Sequence, residues 1–292
     1  MPTLAQLIEE TAQRFETAGI ALGQGTQDFR DEAAWLLLWA AGLPLDTDWQ
    51  AAEPSDLPAE TIARISALVE KRIATRLPTA YLTGQAWLQG VPFFVDQRSI
   101  IPRSLIAEII ADGSADIWLD PQATRALDLC TGNGSLAVLA AMAWPDLHIT
   151  ASDVSADALA VARINIEQHQ LQGRIDLLQG EGLAPLIATG LRFDLILCNP
   201  PYVNAQSMAA LPAEFQAEPD LALAGGQDGM DFVRPLLAQL PQVLSENGVL
   251  ILEIGHERAF FEAAFPQLNP VWLQTSAGDD QVLLLTRDML QV

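Results

Sequence analysis

The sequence predicts an α/β protein in which a doubly wound, mostly parallel sheet follows a small helical domain. Three observations support this prediction. The first 80 residues carry apolar side chains at helical spacing. From about residue 102, five short apolar runs alternate with helical segments, an order that requires crossover connections between parallel strands. The last two apolar runs have no helix between them, which predicts a C-terminal antiparallel hairpin.

Three segments of the N-terminal region have the apolar spacing of amphipathic helices. The first follows Thr3, a candidate cap, and stops at Gly19. The second begins near Asp28, and the third is closed by Pro78, which cannot continue a helix. We therefore predict a helical domain over residues 1–80.

The next 21 residues, 81–101, form a connector of different character. Gly84 and Gly90 separate short aromatic and β-branched runs, which predicts a β-hairpin. We predict that residues 102–292 form the α/β domain, with the segments 204–220 and 274–281 as its expected mobile loops. The strand candidates are 125–130, 148–153, 175–180, 193–198, 248–254, 271–276 and 281–286.

The charge balance restricts the class of partner. The net charge is −22, from 37 acidic and 15 basic residues. Nucleic-acid binding needs clustered Lys and Arg to contact phosphates, so we expect no direct nucleic-acid binding. A basic protein partner suits this charge, although acidity can also serve solubility alone.

Composition also bears on location and metals. Cys130 and Cys198 give no disulfide framework, and three scattered histidines without a Cys/His cluster predict no metal site. The longest nearly apolar run, residues 33–43, is shorter than the roughly 20 residues of a membrane span. The first ten residues lack the basic region of a secretory signal. We therefore expect a cytoplasmic protein without membrane contact.

A glycine loop follows the first strand candidate of the sheet. The stretch "LDLCTGNGSLAVLAA" (127–141) is typical of a strand, a tight turn and a helix. Gly132 and Gly134 allow a sharp turn and close approach of a ligand to the backbone. Asp153 ends the next strand, where a carboxylate can accept hydrogen bonds from ribose hydroxyls. These features predict a ligand that contains a nucleoside.

Two ligand classes compete for this loop. Gly132, Gly134 and Ala137 also satisfy the dinucleotide fingerprint, which would indicate a nicotinamide oxidoreductase. Asp128, just before the loop, favours a cationic ligand such as the amino group and sulfonium of S-adenosylmethionine, because a pyrophosphate prefers positive potential. A tight turn capped by a buried aspartate remains the purely structural alternative. Glu181 follows the third strand and could accept from an adenine amino group, or could be a solvated loop acid.

The fourth strand candidate ends in "CNPPYV" (198–203), beside the glycine loop in this topology. The Asn199 side-chain oxygen and the Pro200 carbonyl can each accept an N–H from a planar nitrogen, and such bonds favour the charge that develops when a methyl group is transferred. Tyr202 offers a flat face for the substrate plane, and prolines hold the carbonyl rigidly. The alternative is a proline-rich strand exit with Tyr202 in the core.

Together these motifs resemble the class I S-adenosylmethionine-dependent methyltransferases that act on planar nitrogen. Three further features are similar to the HemK-like protein-glutamine methyltransferases: the helical N-terminal domain, the connector "TAYLTGQAWLQGVPFFVD", and "EPDLALAGGQDGMDF" at 218–232. The resemblance spans nearly the whole chain. It implies a Rossmann-like, seven-stranded sheet and S-adenosylmethionine as cofactor.

The resemblance also implies roles for individual residues. Expected cofactor contacts are Asp128, Cys130, Thr131, Gly132, Asn133, Gly134, Asp153, Glu181, Gly182 and Asn199. Expected substrate contacts are Asn199, Pro200, Pro201 and Tyr202, with Asn199, Pro200 and Tyr202 as the catalytic groups. Glu181 departs from the family's usual aspartate by one methylene. Arg103 lies in a similar segment but receives no role.

Family members methylate a glutamine side-chain amide, either in peptide release factors or in large-subunit ribosomal protein three. This sequence resembles the ribosomal branch, because Cys130 stands where the release-factor branch usually has glycine and "IPRSLIAE" replaces its Pro-Arg-x-x-Thr-Glu pattern. The C-terminal "GDDQVLLLTRDML" also fits that branch. The implied substrate is therefore a basic ribosomal protein held by the helical domain, with the release factor as the alternative.

Three other functions compete with this one. An adenine methyltransferase of nucleic acid could use Asn-Pro-Pro-Tyr after base flipping, but the charge of −22 disfavours it. A nucleoside-sensing protein would have no use for groups that orient an amide. A nicotinamide dehydrogenase is disfavoured by Asp128 and by the lack of an acid or base that would partner a hydride transfer.

Overall fold

The computed structural model describes residues 3–50 and 57–290. Its contacts divide the chain into two compact units. One unit comprises Met1–Ala86 together with Leu211–Ala217, and the other comprises Trp87–Ala210 together with Glu218–Val292. The domain boundaries given above remain predictions.

The first unit contains the helices α1 (Leu4–Thr17), α2 (Phe29–Ala41), α3 (Ala59–Thr75) and α4 (Thr79–Thr83). Helix α1 begins at the predicted cap, where Thr3 and Gln6 form a reciprocal capping box. The Asp28 side chain accepts from the backbone N–H groups of Arg30 and Asp31 at the start of α2. The apolar faces of α1, α2 and α3 share one core, which includes Ile8, Phe15, Leu36, Leu37 and Val69.

A buried ion cluster links this core to a distant piece of the chain. Arg72 of α3 is 1% exposed and pairs with Glu32 at 3.0 Å and with Glu214 at 3.6 Å. Arg76 also pairs with Glu214, at 3.3 Å. The sequence predicts a mobile loop over 204–220, whereas Glu214 is buried in the helical unit, because two arginines and the Ala21 N–H neutralise its carboxylate.

The hairpin predicted in the connector is present. Strands β1 (Gln85–Leu88) and β2 (Val91–Phe94) form a two-stranded sheet. The elements that follow are α5 (Ile106–Ala111), β3 (Arg125–Leu129), α6 (Ser135–Ala143), β4 (His148–Asp153), α7 (Ala156–Gln168), β5 (Ile175–Gln179), α8 (Ala184–Thr189), β6 (Phe193–Cys198), α9 (Ala205–Ala209), α10 (Val233–Gln239), β7 (Leu244–Glu253), α11 (Arg258–Ala264), β8 (Val271–Thr275) and β9 (Gly278–Thr286).

The second unit is built on a seven-stranded sheet with the order β5-β4-β3-β6-β7-β9-β8. Strands β3 to β7 pair in parallel, and β9 runs antiparallel to β7 and β8. The predicted fold class is therefore confirmed, including the C-terminal hairpin. Apolar clusters cover both faces of the sheet, which explains why its central strands are continuous hydrophobic runs.

The strand order reverses between β3 and β6, and this reversal locates the site. Ligands in open α/β sheets bind at the carboxyl ends of the strands at such a switch point. Leu129 of β3 pairs with Cys198 of β6, so the glycine loop and the Asn-Pro-Pro-Tyr segment leave the sheet side by side. Within residues 3–50 and 57–290, no helix is long and apolar enough to cross a bilayer.

Candidate active site

The glycine loop joins β3 to α6 with three residues in the left-handed region. Cys130, Gly132 and Gly134 have φ angles of 61°, 57° and 79°. A Cβ added to Gly134 would lie 3.0 Å from the Cβ of Ala162 on α7, so this glycine permits close helix packing. A Cβ added to Gly132 would meet no atom within 4 Å, which leaves its outer side open to a ligand.

Asp153 forms hydrogen bonds both to the glycine loop and to the start of α7. Its Oδ2 accepts the Gly132 N–H at 2.9 Å, and its Oδ1 accepts the Ser155 N–H at 2.9 Å. Burial raises the pKa of Asp153, and the N–H groups of Ser155 and Gly132 act in the opposite direction. Each oxygen keeps acceptor capacity, so the carboxylate can also receive ribose hydroxyls.

Asp128 lies beneath the loop and is 1% exposed. Its Oδ2 accepts from the Thr131 hydroxyl and from the Ala137 N–H at 3.0 Å, whereas its buried Oδ1 has no hydrogen-bond partner among the described residues. Burial raises the pKa of Asp128 to about 7. The aspartate thus stabilises the turn, and one orphaned oxygen is left for a cationic group.

A cavity opens between the loops at the carboxyl edge of the sheet. It brings together seven of the residues expected from the sequence: Cys130, Gly132, Asp153, Glu181, Gly182, Asn199 and Pro201. Its other walls include the apolar side chains of Ile100, Val154, Leu221 and Phe232. This mixture of apolar walls and a few convergent polar groups is typical of a small-molecule site.

The remaining expected cofactor residues lie behind the cavity wall. Asn133 is 2% exposed; it caps α6 by accepting the Ser135 N–H and donates to the Ile100 carbonyl. Thr131 is 6% exposed and donates its backbone N–H to Ser152. These residues and Gly134 shape the loop, and any direct contact that they make with a ligand stays a prediction.

The Asn-Pro-Pro-Tyr segment follows β6 as predicted. Asn199 lines the cavity with Pro201, and Pro200 is buried beside them. Among the described residues, no side chain or backbone group forms a hydrogen bond with the Asn199 amide, so it is available to a substrate. Tyr202 is half-buried, and its hydroxyl donates to Glu253 Oε1 at 3.1 Å.

Glycines from two other segments enclose Tyr202. A Cβ on Gly225 would lie 2.6 Å from the Tyr202 Cα, one on Gly229 would lie 2.3 Å from its carbonyl oxygen, and one on Gly255 would lie 2.5 Å from its ring. Hydrogen bonds from Val203 N–H to Leu223 and from Gly225 N–H to Val203 join the same segments. The segment 218–232 is identified from the sequence only by its resemblance to the family. The several glycines of this segment could have indicated that its backbone packs closely against another segment.

Arg103, to which the sequence assigns no role, binds the buried Glu218. Its Nη1 donates to both carboxylate oxygens of Glu218 at 2.9 Å. The Ile101 N–H donates to the same carboxylate at 3.3 Å. Arg103 therefore anchors the start of the 218–232 segment.

The two cysteines lie in contact at the end of β3 and β6, and Cys130 reaches the cavity wall. The Cys198 thiol beside it, together with burial, raises the pKa of Cys130 well above its ordinary value. A raised pKa disfavours the reactive thiolate, and Cys130 lines the cavity as a neutral thiol.

Comparison with known proteins gives the family. A model of the methyltransferase small domain matches residues 116–227. Three curated relatives are named ribosomal protein uL3 glutamine methyltransferase. The relative from Bordetella pertussis is 52% identical over 99% of this chain and 97% of its own length. Those from Burkholderia pseudomallei and Neisseria gonorrhoeae are 47% and 44% identical, over 97% and 99% of this chain and 94% and 96% of their own lengths.

This chain belongs to the ribosomal protein uL3 glutamine methyltransferase family. The expected HemK-like family and its ribosomal branch are thereby confirmed. The fold of this methyltransferase is similar to that of the hMettl16 catalytic domain, with a TM-score of 0.53 at 15% identity over 78% of this chain and 80% of that one. It is also similar to the human methyltransferase 10 domain containing protein, with a TM-score of 0.50 at 17% identity over 68% and 89%.

S-adenosylmethionine is the cofactor of this methyltransferase, and the site fits it. Gly132 and Gly182 leave open space where an added Cβ would meet no atom within 4 Å. Asp153 would hold the ribose, and Glu181 the adenine amino group. The orphaned Oδ1 of Asp128 suits the cationic amino group of the methionine portion.

The substitution Asp128→Asn should make the cofactor-free protein more stable at neutral pH. A carboxyl with a raised folded-state pKa keeps its proton when the unfolded chain has lost it, so the contribution of Asp128 to the stability of the wild type falls as pH rises. Between pH 4 and the pKa of about 7, the slope reaches about 1.4 kcal/mol per pH unit. The stability difference between Asp128→Asn and wild type should therefore grow up to about pH 7 and level off above it.

Urea unfolding at pH 5, 6, 7 and 8 measures this difference, and titration with the cofactor should show weaker binding by the variant. The surface substitution Asp146→Asn makes the same change of residue on an exposed turn, and its curve should run parallel to that of the wild type. Parallel curves for Asp128→Asn as well would contradict the interpretation.

Proposed function

We propose that this enzyme transfers a methyl group from S-adenosylmethionine to the side-chain amide nitrogen of a glutamine in ribosomal protein uL3. The observation that supports this most directly is the position of Asn199, which lines the cavity beside the glycine loop. The identity of up to 52% with curated uL3 methyltransferases supports the choice of substrate. Acting on a ribosomal protein, the enzyme would work in the cytoplasm.

The chemistry needs an oriented amide and no strong base. An amide nitrogen is a poor nucleophile because its lone pair is delocalised. The Asn199 side-chain oxygen and the Pro200 carbonyl would accept the two N–H groups of the substrate, so that the lone pair points into the cavity. The same bonds strengthen as positive charge develops on the nitrogen.

The reaction balances without further groups. When bound, S-adenosylmethionine supplies an electrophilic methyl group on a sulfonium. The new N–C bond would form as the C–S bond of the donor breaks, and the cationic nitrogen would then release its proton to water. The chain's part is to hold the amide between Asn199, Pro200 and the Tyr202 ring.

The proposal is tested with labelled methyl donor and two substrates, purified uL3 and a peptide release factor, followed by mass mapping of the modified residue. We expect one methylated glutamine in uL3. Methylation of the release factor alone would overturn the substrate assignment, and methylation of added RNA would support an adenine methyltransferase instead. Heat-inactivated enzyme is the blank.

Turnover on uL3 should fall as salt increases. The enzyme carries a net charge of −22, and long-range attraction of a basic protein is screened within about 8 Å at physiological ionic strength. Between 50 and 300 mM salt we expect kcat/KM to fall about tenfold through its association rate. A neutral peptide that contains the glutamine should show little change, and salt-independent turnover of uL3 would refute electrostatic steering.

A further inference from the structure

The Tyr202 hydroxyl is attached to a buried glutamate outside the recognised motifs. Glu253 ends β7 and is 3% exposed. Its Oε1 accepts the Tyr202 hydroxyl at 3.1 Å. Its Oε2 accepts the Ser104 hydroxyl at 2.5 Å and the Leu105 N–H at 2.9 Å. Three donors from two segments thus fix the carboxylate, and the carboxylate in turn restrains the phenol.

The segment 101–105 also binds a second buried carboxylate, that of Glu218. Ile101 and Arg103 bind Glu218, which opens the glycine-rich segment that packs on the Tyr202 backbone. Burial and the neighbouring Glu253 carboxylate raise the pKa of the Tyr202 hydroxyl, while the charge of Arg103 acts in the opposite direction. Both the ring and the backbone of Tyr202 are therefore restrained by this short segment.

A buried glutamate is a costly means of fixing a side chain. Taking a carboxylate out of water requires compensating donors, and apolar residues of similar volume often pack with equal stability. Burial raises the pKa of Glu253, so its protonated form is favoured more than in water. Glu253 is buried in spite of this desolvation cost, and it binds the only hydroxyl of the Asn-Pro-Pro-Tyr motif. Both facts indicate that it orients the Tyr202 phenol.

We propose that Glu253 is a positioning residue for methyl transfer. It holds the Tyr202 hydroxyl, and so sets the plane of the ring against which the substrate amide packs, with Ser104 and the Leu105 N–H fixing the carboxylate. The inference rests on the proposed function. It assigns no contact between Glu253 and the substrate, because the glutamate acts through the phenol.

A double-mutant cycle tests this coupling. Tyr202→Phe removes the hydroxyl. Glu253→Gln replaces one carboxylate oxygen of the glutamate by an amide NH2 group and removes its negative charge. Each change should lower kcat on uL3 by about tenfold, the factor expected for one hydrogen bond to a charged group. The dissociation constant of the cofactor should change by less than about twofold. The double variant should lose about tenfold as well, since both changes remove the same interaction, the bond between the phenol and a carboxylate.

Glu108→Gln is the matched control. Glu108 also accepts a serine hydroxyl and a backbone N–H, both from Ser276, at 2.6 and 2.7 Å. It has no such bond to Tyr202, so its effect on kcat should multiply with that of Tyr202→Phe. Independent, multiplicative losses of about 100-fold in the Glu253 cycle would overturn the proposal, as would unchanged kcat in Glu253→Gln.

A variant that fails to fold does not end the test. Thermal melts report folding, and Ser104→Ala removes one support of the carboxylate without touching Glu253 itself. Ser104→Ala should lower kcat and lose that effect in a Tyr202→Phe background; an undiminished effect there would count against the proposal. Wild-type turnover on uL3 is measured in the same series. An inactive wild type refutes the proposed function. An active wild type, with losses of kcat that multiply in the Glu253 and Tyr202 double variant, refutes only this inference.

Discussion

Asn199→Ala should nearly abolish methyl transfer and leave the affinity for S-adenosylmethionine close to that of the wild type. Asn199 lines the cavity, and in the proposed mechanism its side-chain oxygen accepts an N–H that becomes more acidic as the nitrogen gains charge. Removing one such preorganised group costs about 10²- to 10³-fold in kcat. Single-turnover rates on uL3 and calorimetric titration of the cofactor measure the two quantities.

Two variants sharpen the test of Asn199. Asn199→Asp keeps an acceptor oxygen, so it should retain more activity than Asn199→Ala. Asp153→Ala should behave in the opposite manner and weaken cofactor binding first, because Asp153 accepts the N–H groups of Gly132 and Ser155 and stands at the predicted ribose position. Weak cofactor binding with retained turnover in Asn199→Ala would contradict its assigned role.

The sequence predicts those parts of the structure that depend on residues close together in the chain and on the succession of helices and strands. The cap at Thr3 and the alternation of strands and helices follow from residue spacing. The proximity of the glycine loop and Asn199 also follows, because right-handed crossovers bring the first and fourth strands together. For this reason, seven of the residues predicted to contact the cofactor or the substrate line one cavity.

The parts that the sequence does not predict depend on contacts between distant segments. Tyr202 and Glu253 are 51 positions apart, and Ser104 and Glu253 are 149 apart. No periodicity links such residues, since only the completed sheet brings the end of β7 beside the end of β6, from which the Asn-Pro-Pro-Tyr segment leaves. Likewise, Glu214 gives no local sign that it pairs with Arg72 of the helical unit.

Gly229→Ala should disable the enzyme by moving Tyr202. An added Cβ would lie 2.3 Å from the Tyr202 carbonyl oxygen, which is backbone and cannot rotate away. Gly229 also has a φ angle of 79°, where a side chain adds about 1–2 kcal/mol of strain. A shift of about 1 Å in a positioned group costs about 10²-fold in rate. We therefore expect kcat to fall at least 10²-fold, measured with uL3 under saturating cofactor.

Gly190→Ala separates the two causes of that loss. Gly190 ends α8 with a φ angle of 69°, and a Cβ there would meet no atom within 4 Å. Both variants should lose similar stability from backbone strain, but only Gly229→Ala should lose methyl transfer. Equal activity of the two variants would mean that the backbone of the segment 218–232 shifts to accommodate the added Cβ and does not fix the position of Tyr202. A selective loss in Gly229→Ala would show that 218–232 supports the amide site through backbone contact, which explains why glycines are needed there.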